Sequence, residues 1–362
     1  MKILYFGAYN SSDQRNGIIM EGLRQNDVDI IECQDNSPGF KKFIKLFLKH
    51  WKIRKEYDLI FVGFLSHILM PLVVFINNPL ISGRQRKPII LDGFMSLYDS
   101  NVFGRQRYKP RSLKAYYYWF IDWTAFHLAD MVLFDTQKHI EFISKEFGVK
   151  PNKMARSFVG ARENIFQPLP FERKDSNFRV FFHGTFIPSQ GIEFILKVAQ
   201  KLEAHKDIEF MLVGDGQVKN EMLDLAKNLG VNNVVFLGRM SPRELVKHIS
   251  QADVCLGLFG RADKIQRVIP TKVFECAAMR RPIITGDVPA VRELFGDNDI
   301  LFVKIADPDD LARGILELKN NLELRQRLAK NIYETFKKHA STYSIGNNLK
   351  DLMCSLLGCQ NN

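Results

Sequence analysis

The chain is 362 residues long; 46% of its residues are hydrophobic, 25% are charged, and the net charge at pH 7 is +11. This apolar content excludes a disordered chain, and the length indicates two domains at about 150 residues per domain. The five cysteines form no Cys-x-x-Cys pair, which argues against structural zinc and fits a reducing cytosol. The N-terminal MKILYFGAY carries one charge and only a short apolar run, so it predicts a first strand and not a signal peptide.

The positive charge is concentrated in the first half of the chain. Residues 1–170 hold 24 Lys and Arg against 16 Asp and Glu, a net charge of +8. Such an excess predicts an anionic partner for this half, which could be membrane lipid, a phosphorylated acceptor or nucleic acid. A basic surface that only confers solubility is the alternative.

The first predicted strand, Lys2–Phe6, leads through the loop GAYNSSDQRNG to a helix over 18–25. A loop rich in Asn, Ser and Gly between a strand and a helix suits the close approach of a ligand. Gly17 in this loop is therefore a candidate for contact with a ligand. An ordinary tight turn is the alternative interpretation of the same glycine.

Residues 40–55 predict a helix with an aromatic side and a basic side. Phe and Trp recur at helical spacing, and seven Lys and Arg stand among them without an acidic residue. This pattern predicts a helix that lies in the interface of an anionic membrane. The alternative is that the stripe packs on the domain's own sheet and the lysines face solvent. The candidate membrane-facing residues are Lys41, Lys42, Phe43, Lys45, Phe47, Lys49, Trp51 and Lys52.

A strongly apolar run follows the predicted strand Asp58–Val62. The run covers residues 63–79, contains His67 and Pro71, and is shorter than the roughly 20 residues that span a bilayer. It therefore predicts a buried helix and not a membrane span. His67 would lie near the carboxyl end of the strand, where it is either a substrate-binding residue or a buried core histidine.

Lys87–Leu91 predicts another strand, which ends at Asp92. A carboxylate there could accept a proton or bind a sugar hydroxyl, or it could cap a turn; Asp99 is a second candidate. The basic and aromatic segment 104–136 could line an acceptor groove or touch the membrane. Two prolines and mixed charges in the segment 160–178 indicate the domain boundary.

The second half opens with a strand, a glycine turn and an amphipathic helix, and its repeated strand–helix order predicts a parallel sheet. Further on, an apolar strand leads to a loop with Lys264 and Arg267 and then to a helix that opens at Pro270. The free amides and positive dipole end of that helix, together with the charge of Lys272, predict an anion site at the carboxyl edge of the sheet.

The segment IPTKVFECAAMRRPIITGDVPAVREL resembles the donor-sugar segment of retaining glycosyltransferases of family 4. The resemblance covers most of the chain and implies an α/β glycosyltransferase-B fold, with two Rossmann-like domains that face each other across a cleft. It implies an acceptor- and membrane-facing domain at 1–168 and a nucleotide-sugar-binding domain at 176–338. A C-terminal tail, 339–362, is expected to cross back to the first domain.

The resemblance also implies a set of donor contacts. Glu275 matches the Glu that binds the donor ribose, Gly17 matches the glycine loop that faces the donor phosphates, and the loop at Gly238 to Met240 matches the one that holds the base. The complete set of candidate substrate-binding residues is Gly17, His67, Gly184, Thr185, Gln190, Gly238, Arg239, Pro270, Thr271, Lys272, Val273 and Glu275.

The sequence departs from the family pattern at four positions. Arg267 stands where many relatives have a Glu, and Thr185 and Gln190 stand where relatives have an Arg and a Lys that touch the diphosphate. Lys264 and Arg267 are expected to replace these two missing cations. Asp92 occupies the place at which relatives commonly have a His that faces the reacting sugar. Asp92, Lys264 and Arg267 are therefore the predicted catalytic residues.

These features predict a metal-independent glycosyltransferase that moves a hexosyl or N-acetylhexosaminyl group, with retention, from a nucleotide diphosphate sugar. No cofactor or metal is expected, because basic residues and helix amides stand where the leaving diphosphate would lie. The expected acceptor is lipid-linked or a surface polysaccharide, at the cytoplasmic face of the cell membrane. The alternatives are a sugar-nucleotide epimerase of the same architecture and a nucleic-acid-binding protein. Nucleic acid is not an expected partner, because no recognition motif is present.

Overall fold

The protein divides into two compact units in a computed structural model that describes residues 1–11, 13–170 and 175–358. Unit 1 comprises Met1–Val102, Arg107–Val159 and the chain from Thr342 onward, and unit 2 comprises Phe103–Gln106 and Gly160–Ser341. The predicted boundary segment, 160–178, lies in unit 2, and its residues 171–174 fall outside the described residues.

Each unit contains one sheet of six parallel strands. The strands of unit 1 are β1 (Lys2–Gly7), β2 (Asp29–Gln34), β3 (Leu59–Val62), β4 (Ile89–Phe94), β5 (Met131–Phe134) and β6 (Met154–Arg156). The strands of unit 2 are β7 (Phe178–His183), β8 (Ile208–Val213), β9 (Val234–Phe236), β10 (Val254–Leu256), β11 (Ile283–Gly286) and β12 (Leu301–Val303). The strand order is β2-β1-β3-β4-β5-β6 in unit 1 and β12-β11-β10-β7-β8-β9 in unit 2.

Helices connect these strands and cover the sheets. In chain order they are α1 (Gln14–Gln25), α2 (Lys41–Ile53), α3 (Met70–Ile76), α4 (Pro79–Ser82), α5 (Leu97–Asp99), α6 (Leu113–Leu128), α7 (Gln137–Phe147), α8 (Ile192–Lys201), α9 (Lys219–Leu229), α10 (Pro242–Ser250), α11 (Thr271–Ala278), α12 (Pro289–Arg292), α13 (Pro308–Asn320), α14 (Leu322–His339) and α15 (Thr342–Leu357). Short 3-10 turns precede α3, α8 and α11.

The central strands are apolar on both faces because helices cover both faces of a parallel sheet. All four residues of β3 are buried, as are five of the six in β1. The two strands run parallel, with Ile3 opposite Leu59 and Phe6 opposite Val62. The alternation of strand and helix in the sequence thus correctly predicted two α/β units with parallel sheets.

Helix α15 returns to unit 1 and packs on α1 at a pair of glycines. A Cβ on Gly346 would lie 2.0 Å from the carbonyl oxygen of Gly22, and a Cβ on Gly22 would lie 2.3 Å from the carbonyl oxygen of Thr342. The backbones therefore approach more closely than any side chain permits. The tail expected at 339–362 corresponds to α15, although His339 still belongs to α14, and residues 359–362 fall outside the described part of the chain.

Helix α6 buries a carboxyl group against the core of unit 1. Asp122 is fully buried, and its Oδ2 accepts hydrogen bonds from the Ser96 hydroxyl at 2.7 Å and from the Tyr98 N–H at 2.9 Å. Burial raises the pKa of Asp122 most strongly, because it disfavours the charged carboxylate, and the negative charge of the nearby Asp99 raises it further. Together they bring the pKa from 3.8 to about 7.

The pKa of Asp122 predicts how the stability of unit 1 depends on pH. The native state keeps the proton up to about pH 7, whereas an unperturbed Asp releases it near 3.8. The native state binds more protons in this window, so this contribution to stability is present at low pH and is lost as the pH rises from about 4 to 7. We expect Asp122→Asn, which keeps an acceptor oxygen but does not titrate, to abolish this loss.

Urea unfolding at about pH 5 and pH 8 measures the effect. The free energy of unfolding of Asp122→Asn, relative to that of the parent, should rise by on the order of 2 kcal/mol between the two pH values. Asp29→Asn, at the exposed start of β2, is the matched control. An identical pH response of the parent and Asp122→Asn would contradict the prediction.

Candidate functional site

The candidate site lies at the carboxyl edge of the unit 2 sheet, where the loop after β7 meets the loop after β10. Gly191 has a φ of +71°, and a Cβ on it would lie 2.3 Å from the backbone nitrogen of Gly260. The Phe259 N–H donates to the carbonyl oxygen of Gln190 at 3.2 Å. This close approach of two backbones holds Gln190 beside the residues that lead into α11.

Lys272, in the first turn of α11, brings a cation to this edge. Its Nζ donates to Gln190 Oε1 at 2.6 Å and to the Gly257 carbonyl at 3.3 Å, and it lies 3.5 Å from the centroid of the Phe182 ring. A Cβ on Gly184 would lie only 3.2 Å from this Nζ, so the glycine leaves room for it. Burial lowers the pKa of Lys272 well below 10.5, and an anion bound beside it would favour the charged ammonium.

Glu275 lies one turn further along α11 and contacts a histidine. His183, the last residue of β7, places its Nε2 2.6 Å from Glu275 Oε2, and the side chains of both residues are at least 90% buried. Sequence reasoning named Glu275 and missed His183. The only signal for His183 was its position directly before the glycine turn at Gly184. The pair fixes the orientation of the Glu275 carboxylate, because a short hydrogen bond between buried groups has few alternative geometries.

The start of α11 contains three further predicted residues. Pro270 is the N-cap and Thr271 the first helical residue, and both are half-buried. The side chain of Val273 is buried, and its N–H donates to the Pro270 carbonyl at 2.9 Å. Pro270 and Thr271 lie where a ligand could reach them. Val273 instead anchors the helix, so the geometry does not favour its predicted contact with the donor.

The remaining predicted residues of unit 2 lie on loops at the same edge of the sheet. Thr185 and Arg239 are exposed. Gly238 has a φ of +44°, and its carbonyl accepts the Gly214 N–H at 2.8 Å, which ties the loop after β9 to the loop after β8. Thr185 and Arg239 can therefore contact a ligand without rearrangement of the core.

Lys264 and Arg267 lie on the 3-10 turn Asp263–Arg267 that precedes α11. The Lys264 side chain is largely buried, and the Arg267 guanidinium lies 5.5 Å from the centroid of the Phe103 ring. At the glycine turn after β7, it is Lys272 whose ammonium nitrogen contacts Gln190. The roles of Lys264 and Arg267 at the donor diphosphate stay predictions.

In unit 1, Asp92 forms a buried ion pair that the sequence did not reveal. Arg15 donates to both of its carboxylate oxygens, with Nε 3.0 Å from Oδ2 and Nη2 2.9 Å from Oδ1. Arg15 Nη1 also donates to the carbonyls of Ser157 and Phe158 at 2.9 and 2.7 Å. Asp92 is fully buried, so this geometry favours a role in holding α1, β4 and the segment after β6 together over the predicted catalytic role.

Three other candidates of unit 1 are also part of its framework. His67 is buried with its ring against Phe126, and burial lowers its pKa to about 4, so it is neutral at pH 7. Asp99 is fully buried, with Oδ2 3.8 Å from Nε2 of His139. The helix predicted from residue 18 begins at Gln14, so Gly17 lies in its first turn and not in the preceding loop. The core-histidine alternative fits His67 better than substrate contact does.

Helix α2 matches the predicted helix over 40–55, and most of its apolar stripe faces outward. Phe40 is 72% exposed, Ile44 52% and Trp51 43%, whereas only Leu46 and His50 are buried. The alternative in which the stripe packs on the domain's own sheet therefore does not describe these three side chains. The predicted Phe43 and Phe47 are half-buried, and the predicted lysines Lys41, Lys45, Lys49 and Lys52 are exposed.

The helices of residues 1–11, 13–170 and 175–358 include none that is both long and apolar enough to cross a bilayer. Within the same residues, His, Cys, Asp and Glu form no group of three or more that could hold a metal ion.

Comparison with known proteins identifies the region that holds this site. Residues 162–335 match the family model of the group 1 glycosyl transferases. The matched residues lie within unit 2 and include β7 and α11, which hold the candidate site. An uncharacterized glycosyltransferase of Methanocaldococcus jannaschii is 29% identical over 170 residues, which are 46% of this chain and 45% of that protein. A Bacillus subtilis glycosyltransferase named for teichuronic acid biosynthesis is 24% identical over 170 residues, 47% of this chain and 39% of that protein.

The aligned part thus spans less than half the length of these curated relatives. Among solved structures, the Anabaena protein HepE in complex with UDP superposes with a TM-score of 0.71 at 14% identity, over 98% of this chain and 100% of that one. This likeness shows the fold, and the predicted glycosyltransferase-B fold is confirmed.

The contact between His183 and Glu275 in unit 2 can be tested without a ligand. We expect a double-mutant cycle with His183→Phe and Glu275→Gln to give a coupling energy of about 1–3 kcal/mol, the range for hydrogen bonds to charged groups. Urea unfolding of the parent, the two single variants and the double variant measures it. The exposed pair Arg313 and Glu317, separated by 3.0 Å, is the matched control and should couple by about 0.5 kcal/mol or less. Equal coupling in both cycles would refute the orienting role of His183.

Proposed function

We propose that the protein transfers a hexosyl or N-acetylhexosaminyl group, with retention and without a metal ion, from a nucleotide diphosphate sugar to a lipid-linked or surface-polysaccharide acceptor. The observation that carries the donor assignment is the buried Lys272 ammonium beside Gln190 and Gly184, at the start of a helix on the carboxyl edge of a parallel sheet. UDP in the Anabaena neighbour supports a nucleotide donor. Retention is proposed from the family resemblance.

The proposed chemistry depends on stabilising the leaving diphosphate. Negative charge grows on that group as the bond to the sugar breaks, so cations held beside it lower the barrier. Lys272 supplies a full charge, the first amides of α11 supply partial charges, and Lys264 and Arg267 on the preceding turn are proposed to add to them. Glu275, oriented by His183, is proposed to accept hydrogen bonds from the ribose hydroxyls.

Lys272 also offers an explanation for the missing lysine of the family pattern. Relatives carry that lysine at the position of Gln190, on the loop after β7. Here Gln190 is neutral, but its Oε1 lies 2.6 Å from Lys272 Nζ, which reaches the same place from α11. We thus propose that α11 supplies here the ammonium that the loop after β7 supplies in relatives, and that the ammonium occupies the same place in the site. The presence of Gln190 in place of the family's lysine is then compatible with diphosphate binding.

Exchanging the two side chains tests this proposal. We expect Lys272→Gln to weaken nucleoside diphosphate binding by roughly 10- to 100-fold, the loss of one charge-assisted contact, and the exchange variant Lys272→Gln with Gln190→Lys to recover most of it. Isothermal titration with UDP, GDP and ADP measures the affinities, and the ligand-free melting temperatures report on folding. An unchanged affinity of Lys272→Gln for all three diphosphates would contradict the proposed role of Lys272 in binding them. If the parent binds none of these diphosphates, the proposed donor class is wrong.

The membrane location of the acceptor is proposed from helix α2. Its exposed Phe40, Ile44 and Trp51 lie among lysines without an acidic residue, which is the composition of a helix that lies in an anionic interface. The teichuronic acid relative supports a surface polysaccharide as product. Location at the cytoplasmic face of the membrane belongs to the same proposal. The comparisons give no support to the epimerase or nucleic-acid alternatives.

Charge reversal on α2 tests the membrane proposal. Lys45 contacts Ser37 at 2.8 Å and Lys49 contacts Asp35 at 3.2 Å, so reversing these two would disturb the fold. We therefore choose Lys41→Glu, Lys42→Glu and Lys52→Glu. Each basic residue near an anionic surface contributes about 1 kcal/mol, so the triple variant should bind anionic vesicles at least about 100-fold more weakly.

Vesicle sedimentation over a salt series measures this binding. The control variant carries the same charge change on exposed lysines of unit 2, at Lys227, Lys247 and Lys338. It should bind vesicles nearly as well as the parent. Equal weakening by the two triple variants would mean that net charge, and not helix α2, governs the association.

A further inference from the structure

Helix α6 has its polar and apolar faces reversed relative to an ordinary surface helix. Four of its apolar or aromatic side chains are more than half exposed: Leu113 (89%), Tyr116 (56%), Tyr117 (54%) and Phe120 (61%). Trp123 is 37% exposed. The buried side of the same helix carries Ala115, Ala125, Phe126 and the carboxyl group of Asp122. An outward face of this composition indicates a partner that is apolar where the helix meets it.

The exposed residues form one continuous stripe. Their spacing of three, four and seven residues places Leu113, Tyr116, Tyr117 and Phe120 on one side of the helix. The Phe120 ring stacks with that of Trp123, with centroids 6.2 Å apart. The neighbouring Trp119 is instead held to the protein, because its indole N–H donates to Glu146 at 3.1 Å. The stripe is therefore a continuous apolar and aromatic surface along the helix.

This stripe lies on the same side of the unit 1 sheet as helix α2. Strands β2, β3, β4 and β5 succeed one another across the sheet in one direction, and right-handed crossovers then place α2, α3 and α6 on one face. Helix α3 packs against both neighbours, and its Phe75, 52% exposed, lies 6.3 Å from the Phe47 ring of α2. The exposed apolar groups of the three helices thus belong to one layer of unit 1.

Positive charge accompanies the stripe. The segment that enters α6 contains Arg107, Lys109, Arg111 and Lys114, all exposed, and residues 107–114 include no acidic residue. A second copy of this chain would bring like charges together on such a face, which disfavours self-association. An anionic lipid surface matches both the charges and the aromatic residues, because Tyr and Trp rings prefer the interface between water and the lipid core.

We propose that the outer face of α6 is a second membrane contact, at which aromatic side chains insert into an anionic lipid surface while the lysines of α2 hold it electrostatically. The inference rests on the membrane location in the proposed function and extends it from one helix to two. Two contacts on one helical layer fix the orientation of unit 1 against the bilayer, whereas one helix leaves rotation about its axis free.

The first test removes the stripe without changing charge. The variant Leu113→Gln, Tyr117→Gln and Phe120→Gln should bind vesicles of phosphatidylcholine and phosphatidylglycerol at least about tenfold more weakly than the parent, because it removes three apolar side chains from the lipid contact. Its melting temperature and its affinity for UDP should stay at the parental values. The matched control, Leu223→Gln, Val235→Gln and Leu322→Gln, replaces three exposed apolar residues of unit 2 and should bind vesicles as the parent does.

The second test observes insertion directly. The chain has three tryptophans, Trp51, Trp119 and Trp123, so the variant Trp51→Phe with Trp119→Phe leaves Trp123 as the only indole. On vesicles that contain brominated lipid, its fluorescence should shift to shorter wavelength and be quenched. A Trp123 that is neither shifted nor quenched, on vesicles to which this two-Phe variant binds, overturns the proposal.

The outcomes separate this inference from the proposed function. If the α6 variant binds vesicles as the parent does while the α2 charge reversal does not, α6 is not a contact and the membrane location stands. If neither variant loses vesicle binding, both the α6 contact and the membrane location proposed from α2 are wrong. If the parent sediments as a dimer without lipid and the α6 variant as a monomer, the face is an interface between copies of the chain and the lipid assignment falls.

Discussion

The arrangement of the candidate site depends on the need to give hydrogen-bond partners to the buried amino group of Lys272. Taking Lys272 out of water carries a penalty of several kcal/mol unless polar groups replace the lost hydration. Gln190 Oε1, the Gly257 carbonyl and the face of the Phe182 ring are those groups. Two of them come from β7 and the loop after it, and the third from the residue that follows β10. The lysine can therefore be accommodated only when the glycine turn after β7, the end of β10 and the start of α11 are in register.

Most of the fold and part of the candidate site could be predicted from the sequence. Parallel strands buried on both faces are local patterns of apolar residues, and they were predicted within a few residues, as at Lys2–Gly7 and Leu59–Val62. Lys272 and Glu275 were also predicted, because a helix start and a family motif are both local. Partners distant in the chain were not: Arg15 meets Asp92 77 residues away, and His183 meets Glu275 across 92. Only the folded backbone brings such pairs together.

The two surface helices of unit 1 illustrate a second limit. In α2 the lysines alternate with aromatic residues at helical spacing, so the sequence alone separated the two faces. In α6 aromatic residues occur on every side, so the sequence shows no apolar pattern with the helical period of 3.6 residues. Its orientation followed only from packing, which turned Ala115 and Asp122 inward and Phe120 outward. A pattern can assign a face only if the residue types on the two faces differ.

The return of α15 to unit 1 has a consequence for the order in which the protein can fold during synthesis. Ile345, Leu349 and Met353 belong to the apolar core that β1, β3 and α1 form, yet they leave the ribosome after the whole of unit 2. Unit 2 can complete its core while translation continues, but unit 1, although it is made first, must wait with an uncovered α1 until the last helix emerges. The nascent chain therefore exposes an apolar surface throughout the synthesis of unit 2, and chaperones have that long to bind it.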